Sequence, residues 1–240
     1  MLSHGKTDIG LKRSMNQDKV YFSDEPVGNL PNLYIVADGM GGHKAGDYAS
    51  AYAVRRFVDF AKRCEDENPI TIMKKGIHEV NQGMLLASRE REELSGMGTT
   101  FVIAVIKEHH LYVANIGDSR LYLLEKDSIR QITLDHSLVE ELIRTGQLDP
   151  LKIRNHPEKN IITRALGISD EAVPDFFELE LAMDAVILLC SDGLSNMVED
   201  DELLNIITEE QRPWPAVERL IERANYYGGR DNIAAIVVTQ

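Results

Sequence analysis

Residues 100–120 read TFVIAVIKEHHLYVANIGDSR and contain two apolar runs, Thr100–Ile106 and Leu111–Ile116, separated by four polar residues. Both runs are rich in Val, Ile and other residue types that favour β-strands. A short polar segment between two such runs is typical of a hairpin, so the stretch predicts two adjacent strands. The second run is followed by Gly117 and Asp118, which places a carboxylate at the end of a strand.

Four further apolar runs have the same composition and are bounded by Gly, Asp or Asn. These runs are Leu33–Ala37, Arg120–Leu124, Ala185–Cys190 and Ile233–Val238. Apolar residues at helical spacing predict a helix over 47–63, a second between Met73 and Ala87, and a last one around Ala216–Ala224. Because the strands come in blocks instead of alternating with helices, we expect an α+β fold in which helices pack on antiparallel sheets.

The composition indicates a soluble globular protein with a single domain over residues 1–240. Apolar residues make up 43% of the chain and charged residues 27%, which excludes a largely disordered chain. The net charge of −13 argues against a nucleic-acid-binding protein, because such proteins need a dominant positive field. The longest apolar runs have six residues, whereas a membrane span needs about 20. Two cysteines and the lack of a secretory signal predict free thiols and a cytoplasmic protein.

Four aspartates stand at the ends of strand-like runs, most of them beside a glycine. They are Asp38, Asp118, Asp192 and Asp231. Any one of them can be explained as ordinary turn chemistry, but four on strong strand signals point to convergence at one sheet edge. Two carboxylates about 4 Å apart repel by about 4 kcal/mol at an effective dielectric near 20, so such a cluster needs cations. Oxygen ligands favour Mg²⁺ or Mn²⁺ over zinc.

The sequence patterns of several phosphate-binding, phosphate-cleaving and acyl-transfer sites are missing. The chain has no Gly-x-x-x-x-Gly-Lys-Ser/Thr loop, no Cys followed six residues later by Arg, and no Gly-x-Ser-x-Gly elbow. Arg13 could hold an anion through two parallel hydrogen bonds, although most arginines are surface charges. These observations favour a metal-activated water over a serine or cysteine nucleophile.

One segment differs from the rest of the chain. Ser137-Leu138-Val139-Glu140 is a capping-box sequence, and Gly146 stands where the helix should end. Residues 147–160 are polar and contain Pro150 and Pro157. The pattern predicts a short helix and an irregular excursion over about 137–160, either a flap or an ordinary surface loop.

In a series of short motifs along its length, the chain resembles the type 2C metal-dependent Ser/Thr protein phosphatases, and specifically their bacterial branch. The resemblance runs from Gly5 to Val238, and its motifs occur in the family's order. They are Arg13-x-x-Asn16-Gln17-Asp18, Val36–Gly42, Gly98-Thr99-Thr100, Asn115–Arg120, Asp135-His136-Ser137, Thr163–Gly167, Ser191–Leu194 and Gly229–Asn232. The resemblance implies a β-sandwich of two antiparallel sheets flanked by helices, in α-β-β-α layers, with the metals at one end and a flap insertion beside the cleft.

The resemblance also implies a role for each site residue. Among the metal ligands, Asp38 would bridge two metals, the Gly39 carbonyl would complete the first metal's ligands, and Asp192 and Asp231 would hold the second. Asp118 with Asp192 would hold a third and looser ion. Around the metals, Arg13 would bind the substrate phosphate, Asp18 would act through a metal-bound water, and Asn232 would orient ligands. The ions would be Mn²⁺ or Mg²⁺.

The implied reaction is direct in-line attack of a metal-activated water on phosphoserine or phosphothreonine, with no phosphoenzyme. The implied partners are phosphorylated proteins, namely a bacterial Ser/Thr kinase and its substrates, and a monomer is expected. Two alternatives remain: a phosphoprotein-binding regulatory module with little turnover, and a small-molecule phosphohydrolase. All the expected carboxylates are present, which favours an enzyme over a degenerate module.

Two positions depart from the family's eukaryotic pattern. Met40 follows the Asp-Gly pair where many eukaryotic members have a histidine that acts as general acid. His43 is one candidate for the general acid, although it is more readily interpreted as an anchoring or surface histidine. Water bound to the third metal is another candidate. Gln17 stands where eukaryotic members often have Glu, which should alter the surroundings of the metals without abolishing their binding.

Overall fold

The computed structural model describes residues 1–42, 45–149, 152 and 156–239. Its strands are β1 (Leu2–Asp8), β2 (Asp18–Ser23), β3 (Leu33–Met40), β4 (Gly98–Thr99), β5 (Phe101–Lys107), β6 (His110–Ile116), β7 (Arg120–Glu125), β8 (Ser128–Gln131), β9 (Asp175–Glu180), β10 (Val186–Cys190) and β11 (Ile233–Thr239). Its α-helices are α1 (Ala45–Arg63), α2 (Pro69–Glu90), α3 (Leu138–Arg144), α4 (Asp192–Ser195), α5 (Asp200–Glu210) and α6 (Pro213–Tyr226).

The strands form two antiparallel sheets. Within the described residues, one sheet has the order β1-β11-β10-β7-β8 and the other the order β2-β3-β5-β6-β9, with β4 beside β3. The core forms three layers of buried side chains: α1 and α2 cover the second sheet, the two sheets pack face to face, and α5 and α6 cover the first sheet. The predicted α-β-β-α arrangement is confirmed.

The inner strands consist mainly of apolar residues because both of their faces are buried. Along β3, Leu33, Ile35 and Ala37 contact the helix layer, while Tyr34 and Val36 contact the opposite sheet. This is the alternation of side chains that a strand imposes. Because one-residue slips would expose these apolar side chains, their burial determines the register of the strands. The register in turn determines which strand ends lie next to each other.

The predicted helices and central strands are present within a few residues of their expected bounds. The hairpin is tighter than expected, because Lys107 pairs directly with His110 and leaves a two-residue turn in which Glu108 has a φ of 58°. The sequence analysis did not identify β1, β2, β8 or β9. These strands are only partly buried and therefore carry polar residues that obscure the pattern.

The segment predicted as a flap begins as expected. The Ser137 hydroxyl accepts a hydrogen bond from the Glu140 amide at 3.3 Å and caps α3, and Gly146 follows the helix with a φ of 73°. Pro150 and residues 151 and 153–155 lie outside the described residues. In the part of the chain that the structure describes, no helix is long and apolar enough to cross a membrane.

Candidate metal centre and active site

The predicted acidic residues come from strand ends at one end of the sandwich. β2 begins at Asp18 and pairs antiparallel with β3, which places Asp18 directly opposite Asp38. In the other sheet, β10 leads into Asp192 while its antiparallel neighbour β11 starts just after Asp231. The C-terminal end of one antiparallel strand lies beside the N-terminal end of the next, so both sheets bring carboxylates to the same edge.

A buried serine joins the two sheets at this edge. The Ser191 hydroxyl donates to Asp18 Oδ2 at 2.6 Å and accepts from the Ala234 amide at 2.9 Å. Both Ser191 and Asp18 are fully buried. Asp18 therefore has one oxygen held by Ser191, while its Oδ1 is buried without a partner.

The buried carboxylates repel one another. Burial, followed by the charges of Asp192 and Asp231, raises the pKa of Asp18 to about 7. Burial and the charge of Asp231 raise the pKa of Asp192 to about 6. Burial and the neighbouring aspartates also raise the pKa values of Asp38 and Asp118 well above their ordinary range. A carboxylate cluster whose ionised form is this unfavourable would gain strongly from a divalent cation.

Asp118 stands in a sharp turn, the 117–119 corner. Gly117 has a φ of +111°, and a Cβ at this position would lie 2.6 Å from the Thr100 side chain. The Ser119 and Thr100 hydroxyls are hydrogen-bonded at 2.8 Å, and Thr100 Oγ1 accepts from the Asp38 amide at 2.9 Å. The corner that carries Asp118 is thus linked to the strand end that carries Asp38.

Arg13 lies at the rim of this cluster. Its guanidinium donates to Asp231 Oδ2 at 2.7 Å, and about half of its side chain is exposed. Beside it lies a cleft of about 210 Å³ that is lined by Arg13, Ser14, Met15, Gln17, Gly41 and Gly42. A half-exposed guanidinium at an open cleft can bind an anion from solution.

Asn232 fixes the N-terminal loop (residues 9–17) that carries Arg13. Its amide nitrogen donates to the carbonyls of Ile9 and Met15, both at 2.9 Å, and its Oδ1 accepts from the Gln17 amide at 2.9 Å. The sequence analysis expected Asn232 to orient ligands. In the structure, these bonds orient the backbone of the N-terminal loop.

Two glycines allow the backbone to pass close to its neighbours at this edge. A Cβ on Gly39 would lie 2.0 Å from the Gly46 carbonyl oxygen, and one on Gly193 would lie 1.8 Å from the Asn232 carbonyl oxygen. Real Cβ atoms do not make such contacts. These positions accept only glycine unless the backbone shifts.

The donor set fits Mg²⁺ or Mn²⁺. Asp18, Asp118 and Asp192 each have a buried Oδ1 atom without a hydrogen-bond partner, and oxygen donors suit hard cations. Across the described ranges, however, no three acidic, histidine or cysteine side chains are already grouped as a metal cage. Asp231 is itself paired with Arg13. The carboxylates therefore have the right chemistry for such a cation.

Sequence reasoning missed the residues that hold the ligands in place. Ser191 and Thr100 lie in motifs that the analysis quoted, but only the fold shows that their hydroxyls bind Asp18 and the Asp38 backbone. Asn196, which donates to Asp192 Oδ2 at 2.9 Å, gave no signal. His43, one candidate for the missing general acid, lies outside the described residues.

Comparison with known proteins identifies the family. Residues 17–233 match the family model described as protein phosphatase 2C. The chain belongs to the protein phosphatase 2C family. This confirms the family and the enzyme class, a metal-dependent protein phosphatase, that the sequence analysis predicted.

Relatives of this 2C phosphatase align over nearly their full lengths. The serine/threonine phosphatase stp of Listeria welshimeri is 42% identical over 239 residues, an alignment that covers 97% of this chain and 93% of that protein. The protein phosphatase PhpP of Streptococcus pneumoniae is 39% identical over 249 residues, covering 97% and 95% of the two chains.

Solved structures agree in fold. The serine/threonine phosphatase Stp1 from Staphylococcus aureus superposes with a TM-score of 0.92 at 33% identity, covering 100% of this chain and 95% of that one. The catalytic domain of the serine/threonine protein phosphatase PstP, solved with two manganese ions, superposes with a TM-score of 0.86 at 31% identity, covering 98% and 96%.

Proposed function

We propose that this 2C phosphatase hydrolyses phosphoserine and phosphothreonine in bacterial proteins, using two core Mn²⁺ or Mg²⁺ ions and a third ion at Asp118. The observation that carries this proposal is the meeting of buried carboxylates from both sheets at one end of the sandwich, beside a half-exposed arginine. The names of the Listeria and Staphylococcus relatives support the choice of serine and threonine.

The assignment of carboxylates to ions follows the resemblance of the motifs to those of the family. Asp38 and the Gly39 carbonyl would hold the first ion, Asp192 and Asp231 would hold the second, and Asp38 would be shared by both. Asp118 and Asp192 would hold the third ion. When bound, the ions supply the Lewis acidity that makes water nucleophilic at neutral pH, for direct in-line attack on the phosphorus.

Residues around the ligands prepare this chemistry. Ser191 holds Asp18 beside Asp38, so Asp18 can orient groups around the core ions without binding them directly. Arg13 exchanges its pairing with Asp231 for two of the three nonbridging oxygens of a phosphate, which a guanidinium binds through parallel hydrogen bonds. Met40 carries no ionisable group, so the leaving serine or threonine oxygen takes its proton from another donor.

The expected substrates are phosphoproteins. The cleft beside Arg13 is open. We assign residues 137–160, which begin at the last residue of the Asp135-His136-Ser137 motif, as a flap within a single catalytic domain over 1–240. By this proposal the protein acts as a monomer in the cytoplasm, and its substrates are a Ser/Thr kinase and the proteins that this kinase phosphorylates.

Hydrolysis of a phosphothreonine peptide and of p-nitrophenyl phosphate tests the proposal, with Mn²⁺, with Mg²⁺ and with excess EDTA. Asp192→Asn and Asp231→Asn should each lower kcat at least about 100-fold, whereas Asp201→Asn, an exposed aspartate on α5, should not. Arg13→Ala should mainly raise KM. If the folded protein shows no metal-dependent turnover, the proposal is wrong and a phosphoprotein-binding module takes its place.

A further inference from the structure

His136 lies where the flap joins the body of the protein. It directly precedes Ser137, the residue that caps α3. Its carbonyl accepts from the Thr163 amide at 2.8 Å, and Ser137 forms an isolated bridge with Ile162. The two ends of the flap are therefore fastened to each other at His136.

The same histidine holds the 117–119 corner from two directions. Its backbone amide donates to the Gly117 carbonyl at 2.9 Å, and its Nδ1 accepts from the Gly117 amide at 3.1 Å. Gly117 immediately precedes Asp118, whose Oδ1 atom is buried without a partner. The His136 ring thus holds the residue next to Asp118.

On its other side, the His136 ring contacts an ion pair at the surface. Nε2 lies 3.1 Å from Asp175 Oδ2, and Arg164 donates to Asp175 Oδ1 at 3.3 Å. Because Nδ1 accepts a hydrogen bond from the Gly117 amide, the proton of a neutral ring is on Nε2, which donates to Asp175. Burial lowers the pKa of His136, in agreement with a neutral ring.

We propose that His136 is a positioning residue, which fixes Asp118 for the third metal ion and connects that ligand to the base of the flap. The contact that matters most is the bond from the Gly117 amide to Nδ1, and Asp175 sets the orientation of the ring. This inference rests on the proposed function, because it takes Asp118 to be a metal ligand.

Measurements of Mn²⁺ binding test this inference. The EDTA-treated 240-residue chain is titrated with Mn²⁺, and binding is followed by calorimetry and by electron paramagnetic resonance. His136→Phe removes both ring bonds and should weaken the weakest Mn²⁺ site at least about tenfold, as expected for loss of a group that orients a ligand. Asp118→Asn should weaken the same site. His136→Asn keeps an acceptor near the position of Nδ1 and should weaken it by no more than about threefold.

The controls separate this inference from the proposed function. His78→Phe, the same substitution at an exposed site on α2, should bind Mn²⁺ as the unchanged protein does. If Asp118→Asn weakens the site but His136→Phe does not, the positioning role is wrong while the metal assignment stands. If Asp118→Asn itself changes nothing, the metal assignment is wrong and the inference fails with it.

Two further readouts distinguish positioning from general damage to the fold. The Mn²⁺ concentration that gives half-maximal kcat should rise in His136→Phe and return towards normal in His136→Asn, while KM for p-nitrophenyl phosphate stays within about twofold. If His136→Phe does not fold, Asp175→Ala carries the test with an expected weakening of about threefold. Unchanged Mn²⁺ binding in Asp175→Ala would then overturn the inference.

Discussion

Replacing Ser191 by alanine tests the buried connection between the two sheets. The substitution removes the bond to Asp18 Oδ2 at 2.6 Å and leaves the Ala234 amide without its acceptor. A hydrogen bond to a charged group is worth about 1.5–3 kcal/mol, and a buried unpaired donor costs about 1–3 kcal/mol. Because the two effects share one atom, we expect a loss of roughly 3 kcal/mol in the free energy of unfolding.

The measurement is urea and thermal unfolding of the EDTA-treated protein at pH 8, where Asp18, with its pKa of about 7, is mainly ionised. For a protein of this size, a loss of roughly 3 kcal/mol corresponds to a fall of roughly 6–12 °C in Tm. Ser128→Ala is the matched control, since its exposed hydroxyl donates to the Glu125 carbonyl at 2.9 Å and water can replace it. The control should lose less than about 0.5 kcal/mol.

A Tm for Ser191→Ala within about 2 °C of that of Ser128→Ala would refute the reasoning. It would mean that water or a local shift satisfies both Asp18 and the Ala234 amide, so Ser191 would not be needed to hold the two sheets together at the metal edge. A second readout is the affinity for Mn²⁺. It should fall in Ser191→Ala because Asp18 loses the bond that fixes it beside Asp38.

Three further predictions concern the same edge of the sandwich. Without metal, Asp18 and Asp192 have pKa values of about 7 and about 6 in the folded protein, against about 4 unfolded. The folded state therefore binds more protons between these limits, and the free energy of unfolding in EDTA should fall from pH 5 to pH 8, while Mn²⁺ should stabilise more at pH 8. A free energy of unfolding in EDTA that rises from pH 5 to pH 8 would contradict this prediction. Gly193→Ala should destabilise by about 3 kcal/mol in urea unfolding, because its Cβ would lie 1.8 Å from the Asn232 carbonyl oxygen. Gly42→Ala, whose Cβ would meet nothing within 4 Å, is the control, and equal losses in the two would count against the clash. Asn232→Ala frees the N-terminal loop and should raise KM for a phosphopeptide at least about tenfold. An unchanged KM would show that the loop is held by other contacts.

The sequence predicts the inner strands and helices well because their signals are local. β3 and β11 are buried on both faces, so continuous apolar runs mark them clearly. Among the described strands of its sheet, β1 pairs only with β11, and its polar residues hide it. Edge strands keep few apolar residues, and their positions follow from their partners more than from their own composition.

For the candidate site, the sequence by itself determined which residue types are present and where they stand on strands. The Asp-Gly pairs after apolar runs and the ordered motifs pointed to Asp38, Asp118, Asp192 and Asp231. These features depend on short-range rules of turns and strands, which can be read within a few residues.

Only the tertiary structure decided how these residues contact one another. It placed Asp18 opposite Asp38, joined Ser191 to Asp18 across 173 positions, and paired Arg13 with Asp231 across 218. It also brought His136 against the corner that carries Asp118. Such contacts follow from the register of strands and the packing of two sheets. These depend on burial summed over the whole core, so no local stretch of the chain can specify them.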